Sequence, residues 1–95
     1  MNRPLENYVQ HAPELAQDVI NAWGSNARAG NAGSFTTDFK ALLDKTFAYW
    51  DAKKIADNHR ENNVLSEKVA LEESTTREAF AIEYKRFHEA HEAAS

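Results

Sequence analysis

Apolar residues recur along this chain at helical spacing in three stretches, and strand-like alternation is absent from all of them. In the first stretch Leu15, Val19 and Trp23 fall on one face, with Ala16 and Ile20 beside them. Pro13 suits the first turn of such a helix, because the N–H it lacks would have no partner there. Glu14 and Asp18 lie near the positive end of the helix dipole, and Gly24 offers a stop. The pattern predicts a helix over 13–23, preceded by a short helical turn that opens at Pro4 and runs toward Gln10.

The second stretch carries Phe39, Leu43, Phe47 and Trp50, flanked by Leu42 and Tyr49. At 100° per residue those four fall within about 80° of arc, the width of a core-facing stripe. Thr36 or Thr37 can cap its start and Asp38 adds a negative charge to its first turn. Past Trp50 the stripe continues as Lys54 and Asp57, so the second half should outrun the core or meet a polar surface. Asn62 and Asn63 close it, since Asn tolerates the left-handed conformation in which helices often finish. The prediction is a helix over 37–62.

The third stretch places Thr76, Phe80, Tyr84, Phe87 and His91 on one side, while Leu71 and Ile82 project to the other. Ser66 with Val69, or Thr75 and Thr76 with Glu78, can start it. One long helix over 66–93 is expected, with a soft point at 74–76, where Ser74, Thr75 and Thr76 are three poor helix formers in a row.

Helix breakers sharpen this outline. The three glycines fall between Gly24 and Gly33, the two prolines precede them, and nothing after Gly33 interrupts a helix. Residues 24–35 read as a flexible Gly-rich loop with too little apolar surface to offset ordering of its backbone. The expected fold is therefore all-α. It is a single helical domain over 1–95, a hairpin of two long helices with a shorter N-terminal helix, forming a small three-helix bundle. No internal repeat is present. Because the stripe of the second helix covers only its first part, the core is thin, and self-association as a twofold dimer is expected.

Charge and composition exclude several functions. The 95 residues carry a formal net charge of -4 and no cysteine, which removes disulfides, zinc–thiolate sites and a thiol nucleophile. No apolar run approaches the roughly 20 residues needed to span a bilayer. The first ten residues resemble no secretory leader, so a cytoplasmic location is expected. Basic residues are not gathered on one face: 1–50 sums to -1 and 51–95 to -3. Lys53, Lys54 and Arg60 form only a local patch interrupted by Asp51, Asp57 and Glu61, so nucleic-acid binding is disfavoured.

Few residues suggest chemistry. His88 and His91 stand at i, i+3 with Glu92 at i+4 from His88, within reach of one metal ion on a helix, although the zinc-protease motif needs one more residue between its histidines. A solvated helix end is the plainer account. The Gly-rich loop lacks the Lys-Ser or Lys-Thr of a phosphate-binding loop, yet Arg28 and Asn31 lie where it could fold over an anion. Glutamates are plentiful, but Glu73 with Arg77, Lys53 with Asp57 and Lys85 with Glu89 have the i, i+4 spacing of helix-surface ion pairs. No serine has the setting of a nucleophile.

The pattern favours recognition over catalysis. Tyr8 and Tyr49 project to exposed flanks, Leu71 and Ile82 lie on the outer side of the third helix, and Glu73 faces the apolar side where a basic partner could meet it. These five residues are the expected partner-binding set. The expected function is a small non-catalytic regulator, adaptor or inhibitor with no cofactor, a class that includes short accessory proteins of phages and mobile elements. It would act by presenting a helical surface to a protein partner. The alternatives are a nucleic-acid-associated helical protein and a metal-binding one.

Overall fold

A computed structural model describes residues 4–28 and 37–94, with side chains over 4–25 and 39–90. Among the described residues the fold is all-α, with α1 (Leu5–Gln10), α2 (Ala12–Arg28), α3 (Thr37–Glu61) and α4 (Glu67–Ala94). The short turn at Pro4 thus becomes a helix of its own.

α3 and α4 form an antiparallel hairpin, and its bend is set by local backbone chemistry. Asn63 takes φ 57, the left-handed conformation. Its N–H donates to the Arg60 carbonyl at 3.1 Å and that of Val64 to the His59 carbonyl at 2.9 Å, the paired bonds of a Schellman ending. Two residues later Ser66 Oγ accepts the Val69 N–H at 3.2 Å and caps α4. α4 then runs unbroken through 74–76. Thr76 Oγ1 donates back to the Glu72 carbonyl at 2.7 Å, which gives that hydroxyl a partner inside the helix.

α2 differs from its predicted bounds. It passes through Gly24 and ends at Arg28. Glycine inside a helix costs only about 1 kcal/mol relative to alanine, so it weakens a helix without ending it. Tertiary contact holds this turn, since Trp23 sits edge-on against Phe47 with ring centroids 5.5 Å apart.

The core gathers Ala12, Ala16 and Val19 from α2, Leu42, Leu43 and Tyr49 from α3, and Phe80 from α4. α3 is two-sided. Leu42, Thr46, Tyr49, Ala52 and Ala56 are all buried, and Tyr49 among them meets Phe80 of α4. Of the projected stripe, Leu43 is buried in that cluster, while Phe39, Phe47 and Trp50 are partly buried and pack against it. The burial axis therefore lies about one residue before the stripe read from sequence. It persists to Ala52 and Ala56, both buried. Tyr49 is 0% exposed and stacks on Phe80 at 5.8 Å, which corrects its assignment to an exposed flank. Burial also pushes the Tyr49 phenol above its ordinary value, with Arg77 opposing that rise.

Candidate functional site

α1 is too short to persist as an isolated helix. It is held by its contact with α4, and the reason starts at Pro13. In a continuous helix the N–H of residue 13 would bond the carbonyl of Val9, but proline has none. Arg77 reaches across from α4 instead: its Nε donates to the Val9 carbonyl at 2.7 Å and its Nη2 to the Gln10 carbonyl at 3.1 Å. A cation at the C-terminal carbonyls of a helix is favourably placed. Tyr8 completes the docking, at 5% exposure, with its ring 5.9 Å from Tyr84 and 6.2 Å from His88.

These contacts correct three expectations. Arg77 bonds α1 and leaves the predicted partner Glu73 to Arg60, whose guanidinium pairs with it across the hairpin. The Glu73 side chain is 15% exposed, so the basic group it meets belongs to its own chain. Tyr8 is buried and gives no exposed anchor. The other two ion pairs form, Lys53–Asp57 at 2.7 Å and Lys85–Glu89 at 2.9 Å.

The local basic patch is largely engaged by carboxylates. Lys53 bonds Asp57 and lies 5.4 Å from the centre of the Trp50 ring, while Arg60 bonds both Asp57 and Glu73. The Lys53 hydrogen bond, with help from Arg60, holds the Asp57 carboxyl below its ordinary range, and the bond to Glu73 raises Arg60. Leu71 and Ile82 point outward and are 67% and 43% exposed.

α1 divides two cavities. On one side a groove of about 490 Å³ runs between α1 and α4, with Leu5 and Val9 on one wall, Arg77 and Ser74 on the other, and Glu6 and Glu78 among its lining residues. On the other a smaller cavity of about 280 Å³ is lined by Asn7, Tyr8, His11, Leu15, Tyr84 and His88. Sequence reading found neither. The only local signal was Pro13, which removes the i+4 donor to the Val9 carbonyl without showing that Arg77 reaches it.

Among the described residues no three of His, Asp and Glu gather as a metal site. His88 is described, with its ring 6.0 Å from that of Tyr84 and nearly parallel to it. The side chains of His91 and Glu92, that of Arg28, and Asn31 altogether lie outside the described residues. No described helix is long and apolar enough to cross a membrane. Comparison with known proteins found no matching family model, no matching curated protein and no matching solved structure.

Proposed function

We propose that this protein is a non-catalytic regulator or adaptor that binds a basic amphipathic helix of a protein partner through the α1–α4 groove. One observation carries the reading. The groove of about 490 Å³ has Leu5 and Val9 on its wall and Glu6 and Glu78 among its lining residues. Leu71 and Ile82 stand exposed on α4, the helix that forms its other wall. Apolar anchors spaced one helical turn apart suit such a trough, and basic residues beside them would meet the two glutamates. A second copy of this chain is the competing occupant. A twofold contact centred here would bring Glu6 and Glu78 of one copy against the same two glutamates of the other, which disfavours it.

The test is site-specific photocrosslinking in the native host, with the probe placed at Leu71, at Ile82, or at the exposed Ile55 on α3 as control. The reading expects one adduct shared by positions 71 and 82, absent at 55, and mapping to a Lys- or Arg-rich amphipathic helix. Equal adducts from position 55, adducts to another copy of this chain, or none from α4 would reject it.

A further inference from the structure

The second cavity has a different chemistry from the groove. Asn7 and Tyr8 come from α1, His11 from the α1–α2 turn, Leu15 from α2, and Tyr84 and His88 from α4. Three of these side chains are rings clustered at mutual centroid distances of 5.9, 6.2 and 6.0 Å. Ring walls favour a flat occupant through offset and edge contacts. Asn7, the two imidazoles and the two phenols all carry hydrogen-bonding groups, and an amide or imidazole can both donate and accept. None of the six lining residues is Asp, Glu, Lys or Arg, so a charged occupant would be desolvated without a fixed countercharge. The volume, about 280 Å³, lies just under the ~300 Å³ at which drug-sized pockets begin, which selects a one-ring or fused-ring ligand.

We propose that this cavity binds a small, neutral, planar heterocycle with hydrogen-bonding edges. Tyr8, Tyr84 and His88 supply the ring wall, and Asn7 and His11 supply polar contacts at its exposed mouth. The site is separate from the α1–α4 groove and does not depend on what the groove binds.

The experiment is a titration of the full ¹⁵N-labelled chain at about pH 8, where imidazole is ordinarily neutral. Nicotinamide and adenine serve as probes, with cyclohexanecarboxamide as a non-planar control and benzoate as a charged one. Saturable shifts should concentrate on the amides of Tyr8, His11, Leu15, Tyr84 and His88, with both controls at least about ten-fold weaker. Asn7→Ala and His11→Ala alter exposed residues and should keep the fold, as checked by circular dichroism. Each should weaken probe binding about two- to ten-fold, the worth of one hydrogen bond. Failure of both probes to bind, equal binding of cyclohexanecarboxamide, or shifts centred on Leu5, Val9 and Arg77 would overturn the proposal. So would a response of His11 and His88 to zinc alone, which would indicate a two-imidazole metal site.

Discussion

Replacing Arg77 with methionine should release α1 while leaving the hairpin folded. Methionine keeps most of the aliphatic stem and removes the fork that bonds the Val9 carbonyl at 2.7 Å and the Gln10 carbonyl at 3.1 Å. A bond from a charged donor contributes about 1.5–3 kcal/mol net, and the exposed Gln10 bond adds little because water competes for it. The total loss is therefore about 1.5–3 kcal/mol, concentrated on a six-residue helix that has little stability of its own. At 1.4 kcal/mol per decade, this corresponds to roughly 10- to 150-fold faster local opening. Amide hydrogen exchange reads it directly. The His11 N–H donates to the Asn7 carbonyl at 3.1 Å and reports α1, whereas the amide of buried Ala56 reports the hairpin. The His11 amide should accelerate by that factor and Ala56 should not change. Arg77→Lys should fall between, since an ammonium cannot span both carbonyls as the planar fork does. Acceleration of His11 by less than about three-fold, or equal acceleration of both amides, would refute the view that Arg77 pins α1 locally.

Three further outcomes follow from local geometry. Asn63→Ala should cost about 1 kcal/mol because φ 57 crowds a β-carbon, while Asn63→Gly should be nearly neutral. Denaturant midpoints test this, and equal losses would show that the asparagine side chain matters instead. Thr46→Val should change stability by less than about 1 kcal/mol. The hydroxyl is buried and bonds only the Leu42 carbonyl, which also sits in the ladder of α3, so its loss strands no donor. A larger fall in melting temperature than this allows would contradict that account. Tyr49 supplies a pH signature. Its raised pKa means that the unfolded chain loses the phenolic proton first as pH climbs, so its contribution is complete below about pH 10 and declines above it. Melting curves from pH 9 to 11 should fall more steeply for the wild type than for Tyr49→Phe, and parallel slopes would count against the raised value.

The amino-acid sequence by itself determined the helical class and the close of α3 at Asn62–Asn63, because each depends on residues within about one turn of each other; it offered Ser66 as one of two starts for α4, and the structure selects it. Spacing also put Leu71 and Ile82 on the outer side of α4, where they are exposed. Tertiary structure alone decided which arc of α3 is inward. The projected stripe followed the largest side chains, whereas burial centres on Leu42, Thr46, Tyr49 and Ala56, with Tyr49 stacked on Phe80 of α4. The same holds for α2, whose path through Gly24 coincides with Trp23 meeting Phe47 from another helix. Arg77 had a plausible partner four residues away in Glu73, but its guanidinium bonds the Val9 carbonyl, which Pro13 cannot serve, and the Gln10 carbonyl beside it. Local rules rank the bonds a side chain can make with its own helix. Only the arrival of distant segments settles whether a stronger partner displaces them, and both cavities beside α1 are products of that arrival.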